Sequence, residues 1–259
     1  MPNRRKPSSS IVENINCASC GIMKQAWCAT IGPAVFSGIQ LSKTTRLVQG
    51  KETVYHQDTP NDGVYCLVSG LVLLSVSDSR GETTVVRTVT AGDIFGCRSL
   101  LSSDYHAVTA TTLDTCVICH ISKPNAKKLL VQHPSLAKVF VQQLAKNNRS
   151  ANEALLRAST MSVRQRMIHF LLVVLNNYAN YSADGTIRIA LPVNKRELSE
   201  MIGSVPETVS RKLKMFRAEG SLVFENNHIV ILKPDELYSE IEEWADDPMG
   251  VDDFHQKSA

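Results

Sequence analysis

Seven cysteines lie along the chain, Cys17, Cys20, Cys28, Cys66, Cys97, Cys116 and Cys119. Their number is odd, and the basic start from Met1 to Ser10 has no apolar stretch behind it. A secretory signal and a disulfide framework are therefore not expected, and metal or redox chemistry becomes the better reading. The spacing Cys17-x2-Cys20-x7-Cys28 gathers three thiols just ahead of the first strand-like segments. Thiolates so spaced can wrap an iron–sulfur cube that takes a fourth ligand from a distant segment. They can also hold structural zinc, although zinc sites more often join two close pairs. Cys66 and Cys97 are expected to be small buried hydrophobes. Cys116 and Cys119 stand three apart in a strand-like run, so they face opposite ways and at most one can join a site. His56, His106, His120 and His133 show no spacing that organises them around a cofactor.

A second set of residues has the chemistry to read DNA. Glu207, Ser210 and Arg211 stand at i, i+3 and i+4, which puts them on one face near the start of a helix. Arginine can bond guanine O6 and N7 together, glutamate can accept from cytosine N4, and serine can reach a base or phosphate. Lys212, Lys214 and Arg217 can hold phosphates. The bland alternative is that Glu207 completes a capping box with Ser204 and Arg211 is a solvated surface residue. Net charge is only +3, but Lys and Arg crowd residues 195–217, while Asp235 to Asp253 is acidic. A local basic face is the electrostatic footprint of phosphate contact.

The elements that position these residues follow from periodicity. Residues 31–122 read as β structure, a small antiparallel barrel or jelly roll. Short runs such as Val64–Ser69, Leu71–Val76, Thr83–Val89 and Ala107–Thr112 lie between turns at Asp62-Gly63, Gly70, Gly81 and Gly92. From Pro134 to Ala158 the pattern becomes helical, with Leu136, Phe140, Leu144, Ala151 and Leu155 on one stripe. Such a helix runs ~37 Å, longer than a small barrel needs to cover. It is expected to pair with its copy in a homodimer, although packing on the protein's own barrel also explains the stripe. Asn147, Asn148 and Arg149 interrupt that seam, which makes the dimer marginal and switchable. A helix over Ser162–Tyr178, a loop at Ser182–Gly185 and a short strand at Ile187–Leu191 follow. Asn194 and Glu197 then form a capping box for a helix to Ile202. Gly203-Ser204 turn the chain into a second helix that Ser204 caps and Gly220 ends. A hairpin around Asn226-Asn227 completes a winged helix-turn-helix.

At Val205-Pro-Glu-Thr-Val-Ser-Arg211 the chain resembles the Glu-x-x-Ser-Arg recognition helix of the Crp/Fnr regulators, and the order of elements matches from about residue 17 to 233. The resemblance implies an α+β fold with an N-terminal antiparallel β-roll of the cyclic-nucleotide-binding, jelly-roll type, a long dimerisation helix and a C-terminal winged helix-turn-helix. It divides the chain into a cysteine-bearing arm (1–30), a sensor roll (31–133), the dimer helix (134–160), the DNA-binding domain (161–236) and an acidic tail (237–259). It implies a homodimer on a two-fold, double-stranded operator with half-sites resembling TTGAT. The cyclic-nucleotide branch needs a glycine–glutamate turn and a phosphate-binding arginine. Here Gly92-Asp93 and the arginine-free Asp104-Tyr-His-Ala-Val-Thr stand instead. The cysteines are similar to those of oxygen-sensing Fnr proteins, and the x7 gap resembles the FnrL-type branch. That implies a [4Fe–4S] cluster on Cys17, Cys20, Cys28 and Cys119, with Cys116 a near neighbour, and a global anaerobic regulator whose dimerisation the cluster controls. By the same resemblance the Ser79-Arg80-Gly81 loop touches RNA polymerase. Regulators of this kind that lack a cluster answer instead to haem or nitric oxide, thiol redox or a small effector.

The sequence has no nucleophile–base constellation, phosphate-cradling glycine loop or paired carboxylates, so an enzyme is not expected. No apolar run approaches the ~20 residues that span a bilayer, and a cytoplasmic protein without membrane contact is expected.

Overall fold

The computed structural model describes residues 15–17, 20, 31–102, 104–181, 186–189, 193–225 and 228–240. Cys28, the Ser182–Gly185 loop, Leu191, the Asn226-Asn227 turn and the tail beyond residue 240 lie outside the described residues. The chain divides into two units, Met1–Ala154 and Leu155–Ala259. No described helix is long and apolar enough to cross a membrane.

The first unit opens on helix α1 (Pro33–Ser42). Strands β1 (Lys43–Val48), β2 (Thr53–Tyr55), β3 (Gly63–Ser69), β4 (Val72–Ser77), β5 (Thr83–Val89) and β6 (Ile94–Phe95) follow. Helix α2 (Cys97–Ser102), β7 (Thr109–Thr112), β8 (Cys116–Ser122), α3 (Lys123–Gln132) and α4 (Ser135–Thr160) complete the order, and α4 runs on into the second unit. The expectation of β structure over 31–122 fails at α1 and α2. Residues 31–41 lack the alternation of a strand, and Pro33 suits the first turn of a helix, where its missing N–H is not needed. Six residues of α2 are too few to print a helical period.

The strands form two four-stranded sheets rather than a closed barrel, in the orders β1-β8-β3-β6 and β2-β7-β4-β5. Between them lies one core that includes Tyr55, Tyr65, Leu67, Val72, Val89, Phe95, Cys116 and Ile118. A second core lies on the other side of the first sheet, where Val64 and Ile94 meet Val35, Leu129, Leu136, Val139 and Phe140 from α1, α3 and α4. Strand parity decides which core each side chain enters. On β8, Cys116 and Ile118 point between the sheets, while Ile121 packs under the helices. Gly70, at φ 92°, turns β3 into β4, and a Cβ there would meet Cys116 Sγ at 2.6 Å.

The second unit contains α5 (Val163–Tyr178), β9 (Ala179–Tyr181), β10 (Ile187–Ile189), α6 (Lys195–Ile202), α7 (Pro206–Glu219), β11 (Leu222–Glu225), β12 (His228–Ile231) and α8 (Pro234–Ser239). The strands pair in the order β11-β12-β10-β9, all antiparallel. Strand β9 has no counterpart in the sequence reading. Met167, Ile168, Leu198, Val209, Phe216 and Ile229 are buried and form its core.

Candidate functional site

Three of the four sequence-predicted ligand cysteines line one cavity of about 90 Å³. Cys17 and Cys20 reach it from the N-terminal arm and Cys119 from β8, and most of the other lining side chains are apolar, among them Phe36, Ile39, Val64 and Phe140. The arm is held there by two bonds that the sequence does not announce. Gln40 Oε1 accepts from the Cys17 amide at 2.8 Å, and Lys43 Nζ donates to the Ile15 carbonyl at 2.6 Å. Lys43 is 7% exposed and also donates to Thr45 Oγ1. Burial pushes the Cys17 thiol up, the Lys43 charge pulls it down, and the neighbouring Cys119 and Cys20 raise it again, for a net increase.

Cys116 cannot share this cavity. It is fully buried in the core between the sheets, where its Sγ donates to the Leu71 carbonyl. Burial, and secondarily the Asp114 charge, push its thiol up to about 12. Cys97 is buried as expected. Cys66 is only half-buried and lines the same cavity as Cys119, so the expectation of a small buried hydrophobe needs correction. Among the described residues no three metal-type side chains stand close enough to hold an ion. The three described donors, Cys17, Cys20 and Cys119, are nonetheless all thiols at one mainly apolar cavity with the buried Lys43 beside it, and a neighbouring cation favours the thiolate that ligates iron.

Two of the histidines are organised after all, though not around a cofactor. Asp62 Oδ1 takes hydrogen bonds from Tyr65 Oη at 2.5 Å and His106 Nε2 at 3.2 Å, and His120 lies 3.9 Å from Oδ2. His106 stacks on Tyr55 and His120 on Tyr65. Burial alone would raise the Asp62 pKa, but the hydrogen bonds and the histidine charges outweigh it and hold the carboxyl at about 2. The folded state thus favours the ionised form more than the unfolded chain does, where the group titrates near ~3.9. That stabilisation is complete above pH ~4 and is lost as pH falls through about 2. Asp62→Asn is expected to flatten the acid limb of a thermal-unfolding profile between those values.

In the second unit the helix-turn-helix forms as the sequence indicates. Asn194 Oδ1 accepts from the Glu197 amide and the Glu197 carboxylate accepts from the Asn194 amide. Gly203 closes α6 at φ 61°, ψ 53°, a left-handed conformation open to glycine. The cap of α7 differs by one residue from expectation. Val205 is the N-cap, Pro206 sits in the first turn, and no side chain caps the helix. Proline fixes its own φ and pushes the residue before it into extended backbone, which displaces Ser204 from the cap. The capping-box reading of Glu207 falls with it.

Glu207, Arg211 and Lys214 are exposed on one face of α7, and Ser210 is half-buried beside them. With Lys195 and Pro206 they line a single open depression. Val209, Leu213 and Phe216 occupy the opposite, buried face. Lys212 lies about 140° round the helix from Glu207 and is half-buried, on the flank rather than in the depression. Arg217 pairs with Glu225 of β11 at 3.4 Å.

The exposed face is aligned by contacts that no local motif signals. Arg164 of α5 forks onto Glu240 at 2.6 and 2.8 Å, meets Glu219 at the end of α7 at 2.7 Å, and lies 4.1 Å above the Phe216 ring. Arg166 donates to the Gly203 carbonyl at 3.1 Å and ties α5 to the helix-turn-helix corner. The carboxylates are partly solvated, so each pair contributes about 0.2–1 kcal/mol and the cation–π contact about 0.5–1 kcal/mol. Arg164→Ala is expected to cost the C-terminal unit about 1–3 kcal/mol in calorimetric unfolding. Arg164→Lys should recover only part of it, because an ammonium cannot fork.

Helix α4 divides its stripe between the two readings offered for it. Leu136 and Phe140 are buried in the core under the helices and Leu144 is half-buried against it, whereas Ala151 is exposed and Leu155 is 70% exposed. Lys146 Nζ bonds Asp93 at 3.0 Å. That carboxylate, next to Gly92, also accepts from Thr90, so internal donors occupy it. The Ser79-Arg80-Gly81 loop is the β4–β5 turn, where Asp78 accepts from the Arg80 and Glu82 amides.

Comparison with known proteins bears on both units. The cyclic nucleotide-binding domain matches residues 45–133 and the Crp-like helix-turn-helix domain matches residues 165–240. The transcriptional regulatory protein btr of Bordetella pertussis is 27% identical over 232 residues, 88% of this chain and 93% of its own length. The transcriptional activator protein FnrL of Cereibacter sphaeroides is 24% identical over 237 residues, 90% of this chain and 94% of its own. The structure of FixK2 from Bradyrhizobium japonicum superposes with a TM-score of 0.64 at 25% identity, covering 76% of this chain and 96% of that one. A sensor-type β-roll followed by a winged helix-turn-helix, matched in sequence and in structure, places the chain in the Crp/Fnr family of DNA-binding transcription regulators.

Proposed function

We propose that this regulator answers to oxygen through a [4Fe–4S] cluster held by Cys17, Cys20, Cys28 and Cys119, and as a homodimer binds operators with TTGAT-like half-sites. The observation that carries the reading is the meeting of Cys17, Cys20 and Cys119 at one apolar cavity, with Cys116 turned into the other core. Its likeness to FnrL over most of both chains supports it. Bound there, a cluster supplies an oxygen-labile crosslink between the arm and β8.

The residues themselves do the rest. Lys43 and Gln40 hold the arm against the roll. The side chains of the cavity include Leu136, Val139 and Phe140 of α4, so a change in the arm acts directly on the dimer helix. In the homodimer, Ala151 and Leu155 bury their exposed stripe against the partner copy, and two α7 helices meet successive major grooves ~34 Å apart. Arg211 reads guanine, Glu207 accepts from cytosine, Ser210 contacts a base or phosphate, and Lys212 and Lys214 neutralise phosphate. The Arg80 turn is the surface assigned to RNA polymerase.

A second reading draws on the apolar lining of the cavity and on the lack, among the described residues, of three metal-type side chains close enough to hold an ion. In it the same scaffold has no cluster and answers to thiol redox or a small effector. Anaerobic titration of a two-half-site TTGAT duplex separates them. The cluster reading predicts tight, selective binding that falls at least tenfold after exposure to air and is lost in Cys20→Ala. Binding by Cys20→Ala at wild-type affinity would contradict it.

A further inference from the structure

In the antiparallel β3–β8 ladder Cys66 stands directly opposite Cys119. Both side chains leave the same face of the sheet, both are half-buried, and both line the cavity that the arm reaches. Directly opposed residues have Cα atoms about 4.5–5.5 Å apart, inside the range of about 4.4–6.8 Å that a disulfide spans. Neither cysteine is in a disulfide. Thr45 of β1 stands opposite Cys119 on its other side, with its hydroxyl 3.5 Å from the sulfur. Across the sheet Cys119 therefore has a thiol neighbour on the β3 side and a hydroxyl on the β1 side.

We propose that Cys66 is the resolving thiol of Cys119, and that a hydroperoxide joins the two in a cross-strand disulfide. The Cys119 thiolate attacks the outer peroxide oxygen. The O–O bond breaks, the alcohol leaves with a proton, and Cys119 becomes a sulfenic acid. The Cys66 thiolate then attacks Cys119 Sγ. The S–S bond forms and hydroxide departs as water, taking the second proton. Two thiols lose two electrons, and one hydroperoxide becomes one alcohol and one water. The disulfide is reversible and stops Cys119 short of irreversible sulfinic acid. Its regulatory consequence rests on the cluster reading above. A bridged Cys119 is withdrawn from the ligand set, so the oxidised chain refuses a cluster until a dithiol restores it.

The test uses the full chain, freed of metal under anaerobic conditions and treated with one equivalent of hydrogen peroxide. Free thiols are blocked with N-ethylmaleimide, and peptides are mapped by mass spectrometry. The expected result is a fall from seven free thiols to five per chain, a Cys66–Cys119 linked peptide that dithiothreitol removes, and an unbridged sulfenic acid at Cys119 in Cys66→Ala. Absence of the linked peptide, or pairing of Cys119 with Cys17 or Cys20 instead, overturns the proposal. The untreated chain is offered ferrous iron and sulfide in parallel. Iron uptake without the linked peptide overturns the resolving role and leaves the cluster reading. A linked peptide without iron uptake upholds the resolving role and overturns the cluster.

Discussion

Arg211→Ala is expected to erase selective DNA binding while leaving general affinity for duplex largely intact. The guanidinium sits on the exposed face of α7 between Glu207 and Lys214, near the end of the helix that meets base edges. A bidentate arginine–guanine pair carries about 1–3 kcal/mol of discrimination. A homodimer makes the contact twice, so the loss is about 2–6 kcal/mol, roughly 30-fold to 10⁴-fold on the operator. Lys195 and Lys214 remain, and phosphate attraction does not depend on sequence. Lys214→Ala should behave in the opposite way. It weakens operator and scrambled duplex alike and lowers the salt slope by about two per dimer. Fluorescence anisotropy on both duplexes across a salt series reads these differences. Equal losses on the two duplexes with Arg211→Ala would remove this residue from base reading.

Cys119→Ser is expected to abolish iron retention, from about four per chain to near none, whereas Cys116→Ala should retain it in full. Both residues belong to β8, three positions apart, and strand parity sends Cys116 into the core between the sheets and Cys119 to the cavity on the opposite face. Alanine at 116 removes one buried sulfur, for which about 1 kcal/mol of lost stability is the expected scale. Iron analysis of anaerobically purified variants, with unfolding curves alongside, separates the two roles. Retention by Cys119→Ser and loss by Cys116→Ala would reverse the assignment.

Much of the second unit was legible because its signals are local. The Asn194–Glu197 box and the left-handed Gly203 and Gly220 each depend on residues within one turn. Where two local signals competed, proline at 206 outweighed the serine at 204. The stripe of α4 was legible as a stripe, but periodicity names a face and not its partner. Leu136 and Phe140 turned out to serve the protein's own core, while Ala151 and Leu155 are exposed. Helix α1 left no alternation to read. The cavity was legible only in part for the same kind of reason. Parity separates Cys116 from Cys119 within one strand, but the pairing of Cys66 with Cys119 is set by the register of β3 on β8, across more than fifty residues of sequence. Gln40, Lys43 and Arg164 act through partners 23, 28 and 76 residues away, and no motif marks them.

Iron and acid-labile sulfide per chain, with a visible spectrum, on protein purified without air and then exposed to it, test the central claim most directly. The account predicts close to four of each and a brown colour that fades in air. Protein that carries no iron, or zinc in its place, would contradict oxygen sensing by the cysteines while leaving the winged helix-turn-helix to bind DNA under another signal.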